Sequence, residues 1–431
     1  MQNLITLKEY EKISTNDERL DCCDVKKLEL YLNKTGFQNA LKISANEIKA
    51  KYHVGVVKFK NTQFEILPKL IATKEDGNEN ILKNLIFMLS YTKKLDIKTS
   101  DNAILSKSKN PFLEILIAEF ANSLFDALKR LTPKSYIREE ENLNYLKGKL
   151  KFTENIRYNC ANQAKFYCEY DEFSEECLLN QLFYFVANCL YIISTNNRNK
   201  TTLKQIIDYF CDIKLIRFDR HKCAKIHLNR NQKMFEKPFN LAKMFVENSS
   251  VDLSKNKFEN ITMLWDMNKL FEEFIYQTIK RNKEKLGIEK VFFQKKKRLL
   301  KTENGTRRDT AVDIMVEKKA ENNKNKSIII DTKYKKLTGF DDVANADIFQ
   351  VCAYCVLHKN IEKSILLYPQ YENVQSITID ENKINSDVET TQFPVHFMSI
   401  NLMMDDLRKD LQKGFTENSQ SDIIKRLKKI I

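Results

Sequence analysis

The stretch that most constrains the fold of this 431-residue chain is Ser327-Ile328-Ile329-Ile330-Asp331-Thr332-Lys333-Tyr334. Three consecutive β-branched apolar residues read as a strand buried on both faces, the situation of a sheet covered by helices on either side. That strand runs directly into an acid and a lysine two positions apart. In extended backbone such residues point to the same side, and burying both is costly unless each finds a partner. Upstream, Thr310-Ala311-Val312-Asp313-Ile314-Met315-Val316 reads as a second strand with Asp313 at the inner end of its apolar run. The charged, Asn-rich Lys318 to Lys326 segment joins the two like a hairpin loop.

The neighbouring elements extend this into an α/β core with a central mixed sheet. Met267, Leu270, Phe271, Phe274 and Ile275 have helical spacing, which predicts a helix over about 263–285. Val291-Phe292-Phe293 and Ser364-Ile365-Leu366-Leu367-Tyr368 predict strands, and a helix is expected over about 344–358. Ahead of this core, residues 1 to about 75 read as β-rich, with Val54 to Phe59 and Phe64 to Leu67 joined by a Lys60-Asn61-Thr62 turn. Pro68 closes the second strand. Helical periodicity follows at Ile81 to Leu89. From about 110 to 250 the pattern is mainly helical, opened by Asn110-Pro111. The polar stretch from Glu247 to Asn256 is the preferred boundary. The expected division is a β-rich region over 1–100, a helical region over 101–255 and the α/β domain over 256–431.

Charge narrows the partners. Seventy-two basic against 58 acidic residues leave a formal +14, with pI about 9.1. That surplus favours polyanions by steering and counterion release. The opening residues lack a signal-peptide pattern, and no apolar run is long enough to span a membrane. Ten scattered cysteines point to reduced thiols and a cytoplasmic location. Cys352 and Cys355 form a single CxxC inside a helical pattern, which reads as core thiols rather than zinc ligands.

A carboxylate from each of two strands converging on one spot is a site for a hard cation, and Mg²⁺ takes such oxygen ligands. Beside a phosphodiester, the cation would activate water and stabilise charge on phosphorus. Lys333 could position or deprotonate that water, or neutralise the phosphate oxygens. Gln350 and Tyr354 lie four apart on one face of the following helix. Glu272 is either a metal ligand or supporting group, or part of a solvated helix face. Lys295-Lys296-Lys297-Arg298, Lys301 and Arg307-Arg308 lead into the Asp313 strand and either grip phosphates or form a solvated basic loop. The five histidines have no metal-ligand spacing.

Asp313 with Asp331-Thr332-Lys333 resembles the PD-(D/E)xK nuclease motif, Val312 standing where the motif's name has Pro. Asp347-Ile348-Phe349-Gln350 with Tyr354 resembles the Q-x-x-x-Y element of its RecB-like branch. Further segments extend the resemblance along the chain: Gly55 with Glu65 to Lys69, Leu146-Lys147-Gly148-Lys149-Leu150, Tyr170 to Ser174 with Asn180, and Met267-Asn268-Lys269-Leu270-Phe271-Glu272. Together they resemble the McrC family, the endonuclease subunits of McrBC-type modification-dependent restriction systems. The resemblance implies a restriction-endonuclease-like domain that cuts DNA with Mg²⁺, Mn²⁺ being a possible substitute. Asp313, Asp331, Lys333 and Gln350 would be catalytic, Asp313, Asp331 and Glu272 the metal ligands, and Tyr354 a support. It also implies an amino-terminal region that docks on a hexameric McrB-like AAA+ GTPase and stimulates it. The chain has no GxxxxGK[ST], so GTP would be held by the partner. Two alternatives are a stand-alone nuclease of repair or defence, which would cut without a GTPase, and an inactive nuclease fold kept as a DNA-binding adaptor.

Overall fold

The computed structural model describes residues 3–69, 78–92, 94–95, 111–162, 164–252, 257–301, 307–318, 326–336, 342–358, 360–369, 395–400, 424–425, 427–428 and 431. It is a mixed α/β protein whose contacts divide it into two compact units. One comprises Met1–Leu4, Val56–Gln63 and Asp101–Met263; the other comprises Ile5–Gly55, Phe64–Ser100 and Leu264–Ile431. The chain therefore enters each unit more than once, which a linear division into 1–100, 101–255 and 256–431 does not express.

The first unit is organised around helices Pro111–Leu128, Leu178–Ile193, Asn197–Tyr209 and Glu236–Glu247. Their apolar stripes meet at Phe120, whose ring lies 6.5 Å from Phe183 and 6.3 Å from Phe245. Glu114 is buried within this packing and accepts hydrogen bonds from Ser194 Oγ (2.8 Å), Thr195 Oγ1 (3.0 Å) and Asn199 Nδ2 (2.7 Å). Its carboxylate thus sits at the start of helix Asn197–Tyr209, where the helix dipole favours negative charge. An antiparallel sheet of Ser135–Leu143, Phe166–Ser174 and Lys149–Leu150 completes the unit. Gly148 leads into its short strand with φ +69°, and a Cβ there would come within 2.5 Å of the Glu169 carbonyl. Glycine is required by both conformation and space.

In the second unit, helix α1 (Asn78–Tyr91) packs on α2 (Met267–Arg281). Tyr91 and Phe274 rings are 5.3 Å apart, the Arg281 guanidinium lies 3.9 Å from the Tyr91 ring centre, and Lys94 pairs with Glu273 at 3.0 Å. These contacts explain why residues before 100 group with residues after 264. The central sheet has strands β1 (Lys290–Lys301), β2 (Arg307–Lys318), β3 (Lys326–Thr332), β4 (Ile361–Pro369) and β5 (Val395–Ile400), hydrogen-bonded in that order. β1, β2 and β3 are antiparallel, and β3, β4 and β5 are parallel. Helix α3 (Asn345–Leu357) makes the crossover that a parallel β3–β4 pair needs. Ile328, Ile329 and Ile330 are buried, as the apolar run predicts, each contributing roughly 1.5–3 kcal/mol. Val351, Tyr354 and Cys355 of α3 join Ile329, Leu366 and Tyr368 in one core cluster, with Cys352 packed against it. The CxxC thiols are therefore packing groups.

Two expectations change. The helix predicted over 263–285 is α2 alone, because Lys257–Asp266 ahead of it is a strand. Asp266 ends that strand and caps α2, accepting from the Asn268 amide at 2.9 Å. The polar stretch read as a boundary contains strand Ser249–Asp252, antiparallel to Lys257–Asp266. Asn260 Nδ2 donates to Ser250 Oγ across that pair at 2.9 Å, so polar side chains here satisfy one another rather than marking a linker. Among the described residues no helix is long and apolar enough to cross a membrane.

Candidate active site

The β2–β3 register pairs Ile314 with Ile330, which brings Asp313 across from Asp331 where the pairing of the two strands ends. Asp331 is fully buried, at 0% exposure. Its Oδ2 lies 2.7 Å from Lys333 Nζ, and its Oδ1 has no hydrogen-bond partner. Asp313 Oδ2 accepts from the Thr332 amide at 2.8 Å and from Thr332 Oγ1 at 3.0 Å. Lys333 Nζ also donates to Gln350 Oε1 at 2.9 Å, and Gln350 Nε2 donates to the Tyr354 hydroxyl at 2.6 Å. The predicted strand residues and the predicted α3 residues thus form one chain of contacts, Asp331–Lys333–Gln350–Tyr354.

Glu272, on α2, is half-buried and accepts from Gln294 Nε2 at 3.1 Å. It is also close enough to Asp313 and Asp331 to feel both charges. Burial pushes the Glu272 carboxyl up to about 7, and Asp313 pushes it in the same direction. Burial, then the charge of Asp313, raises Asp331 to about 7 as well. Asp313 is raised by burial. Lys333 moves the other way from what desolvation alone would give, because Asp331 and Asp313 hold it as an ammonium. The pair therefore favours the cation more than the anion. Among the described residues Glu272, Asp313 and Asp331 face Lys333, and the negative charge is in excess.

That excess is the test for a cation. Oxygen donors, a buried carboxylate oxygen without a hydrogen bond, and mutually raised acids suit a hard divalent ion. Among the described residues no group of three or more His, Cys, Asp or Glu side chains stands arranged to hold a metal. Glu272 is engaged with Gln294 and Asp313 with Thr332. Two carboxylates fit the ion, with Glu272 alongside.

The basic segment is not a loop. Lys295 to Arg298 lie in β1, paired with Asp309 to Val312 of β2. Alternation along the strand separates them. Lys295 is tied to Glu317 at 3.6 Å and sits over the Phe292 ring, and Lys297 Nζ donates to the Leu357 carbonyl. Lys296 and Arg298 are exposed. Arg307 and Arg308 occupy the start of β2, while their side chains and that of Lys301 lie outside the described residues. Phe293 is exposed rather than core, its ring 4.6 Å from Tyr276.

Sequence reading did not find two further partners. Asp347 accepts both hydrogen bonds of Lys335 Nζ (2.8 and 3.2 Å). Tyr334, directly after Lys333, donates to Glu9 Oε2 at 3.1 Å. No local signal marks Glu9, because its partner is 325 positions away.

Residues 48–369 match the family model of the McrBC 5-methylcytosine restriction system component. Among solved structures, one similar chain comes from the half-complex of a tetradecameric assembly of Thermococcus gammatolerans McrB AAA+ hexamers with bound McrC. The match covers all of both chains at TM-score 0.74 and 22% identity, a likeness of fold. A second, from the cryo-EM structure of the Thermococcus gammatolerans McrBC complex, is 26% identical over 65% of this chain and 88% of its own, at TM-score 0.53. No curated protein matches. The family match spans well over half of the sequence, and this chain belongs to the McrBC restriction system component family.

Proposed function

We propose that the chain is the McrC-type nuclease subunit of its system, a PD-(D/E)xK endonuclease that cuts DNA with Mg²⁺ when assembled with a hexameric McrB-like AAA+ GTPase. The observation that carries this reading is the meeting of Asp313, Asp331 and Lys333 where the β2–β3 pairing ends, with Lys333 bridged to Gln350. A buried excess of carboxylates has no structural benefit of its own, since packed apolar residues would cost less. Perturbed acids clustered around a lysine are the mark of a working site. The solved relatives contain McrB AAA+ hexamers with bound McrC, which supports a GTPase as the partner here.

Asp313 and Asp331 would hold the ion, with Glu272 beside them. When bound, Mg²⁺ supplies positive charge at the scissile phosphate and acidifies a water. Lys333, held as an ammonium by Asp331, neutralises charge growing on the phosphate oxygens. Gln350 fixes the direction of that ammonium, and Tyr354 fixes Gln350. Glu272, beside the two carboxylates, would accept a proton from the attacking water. Exposed Lys296 and Arg298 are placed to meet backbone phosphates, which gives grip without sequence choice.

The test is reconstitution by omission. The chain, the GTPase from the same genome, GTP, Mg²⁺ and methylcytosine-containing DNA are combined, and each component is left out in turn. The reading expects cutting only with all five and faster GTP hydrolysis when the chain is present. Cutting without the GTPase favours the stand-alone nuclease, and no cutting under any combination favours the inactive adaptor.

A further inference from the structure

Glu9 is a buried carboxylate of the second unit. It is fully buried, and its Oε1 has no hydrogen-bond partner. Its Oε2 accepts from the Lys69 amide at 3.1 Å and from the Tyr334 hydroxyl at 3.1 Å. The next residue, Tyr10, has φ +66°, a conformation that costs energy in a residue with a Cβ. The backbone on both sides is pinned: the Glu9 amide donates to the Leu67 carbonyl at 2.9 Å and the Tyr10 amide to the Ala50 carbonyl at 3.1 Å. Strain at Tyr10 and burial with an unsatisfied oxygen at Glu9 are accepted side by side, and the carboxylate they place there reaches Tyr334, just beyond β3.

At the other end, β3 stops at Thr332. The Lys333 amide donates to the Leu367 carbonyl at 2.9 Å, and the Lys335 amide returns to the Lys333 carbonyl at 2.9 Å. The backbone turns at Tyr334, so the direction of the Lys333 side chain depends on how Tyr334 is held. The Phe271 ring, 5.9 Å away, and the Glu9 carboxylate are among the groups that hold it. Phe271 is next to Glu272 on α2. Tyr334 therefore stands between two site residues, with Glu9 fixing its hydroxyl end.

We infer that Glu9 is a positioning residue for the nuclease site, acting through the Tyr334 hydroxyl to set where Lys333 presents its ammonium. The inference rests on the proposed nuclease reading. It gives the amino-terminal segment a direct part in the chemistry of a site built more than 300 positions later. It also makes that segment a route by which a partner bound near the amino terminus could alter cleavage.

The experiment compares E9Q, E9A, Y334F and the E9A/Y334F double variant, each as the full chain assembled with the GTPase, GTP and methylcytosine-containing DNA. D331A is the control. Turnover and KM for DNA are measured, and Mn²⁺ binding is followed by calorimetry on the free chain. Glutamine keeps an oxygen acceptor for Tyr334, so E9Q should cut close to the parental rate. E9A and Y334F should each lose about 10- to 100-fold in kcat through misplacement of the lysine, with KM and Mn²⁺ affinity unchanged. The double variant should be no worse than the worse single one, because both remove one contact. Parental turnover by Y334F or E9A overturns the inference, and so does E9Q as damaged as E9A, or additive losses. If E9A does not fold, E9Q and Y334F decide the matter alone. A D331A chain that cuts like the parent would instead defeat the nuclease reading itself.

Discussion

Replacing Asp331 by Asn should abolish cutting and, in the absence of metal, make the protein more stable. Glu272, Asp313 and Asp331 face the single cation Lys333, and Asp331 is shielded from solvent. Its carboxyl moves from 3.8 to about 7 through burial and the charge of Asp313. An acid with a raised folded-state pKa is a stability penalty that is absent below its unfolded value and grows as pH rises to the folded one. At ~1.4 kcal/mol per tenfold, the penalty above pH 7 is at most about 4 kcal/mol. The ion pair with Lys333 is already contained in that shift, and relaxation of the buried cluster brings the net gain to about 2 kcal/mol. For a unit of this size that is about 4–8 °C in Tm. Calorimetry in chelator at pH 4, 6 and 8 should show D331N matching the parent at pH 4 and melting progressively higher at pH 6 and 8. Saturating Mg²⁺ should raise the parent's Tm and leave D331N unmoved. A D331N chain that melts at or below the parent at pH 8 without metal would refute the charge-excess argument.

Lys333→Ala should keep Mn²⁺ binding by calorimetry while losing roughly 10²–10³ in kcat, the usual cost of removing a preorganised charge stabiliser. Glu272→Gln should raise Tm at pH 8 in chelator and leave it unchanged at pH 4, for the same reason as D331N, because burial and Asp313 push the Glu272 carboxyl up to about 7. Glu114→Ala should lower stability by roughly 2–4 kcal/mol in urea unfolding, because buried donors on Ser194 and Asn199 lose their common acceptor. Gly148→Ala should cost stability of the small sheet, read as faster local hydrogen exchange at Tyr167 to Glu169, because its Cβ meets the Glu169 carbonyl.

The second unit's centre was legible in sequence because its signals are local. An apolar run ending in acid-x-lysine fixes both the strand and the direction of its side chains, and Gln350 and Tyr354 follow at helical spacing. Periodicity also located α3, β3 and β4 to within a few residues. Pairing over long distances was not legible. Nothing around Glu9 announces Tyr334, and nothing in Ile81 to Leu89 says that its helix covers Phe274 rather than a neighbour in sequence. The polar run at Glu247 to Asn256 misled because Ser249 and Ser250, which suit a linker, also suit a strand pair in which Ser250 bonds Asn260. The basic run at Lys295 misled for a related reason: lysine stems can lie along a strand edge as readily as in a loop.

The most direct test of the central claim separates the two activities in one sample. Asp331→Ala is assembled with the GTPase, and GTP hydrolysis and cleavage of methylcytosine-containing DNA are followed together at saturating Mg²⁺. The account predicts parental stimulation of GTP hydrolysis and no cleavage. Parental cleavage by this variant would show that the chemistry does not reside where Asp313 and Asp331 meet.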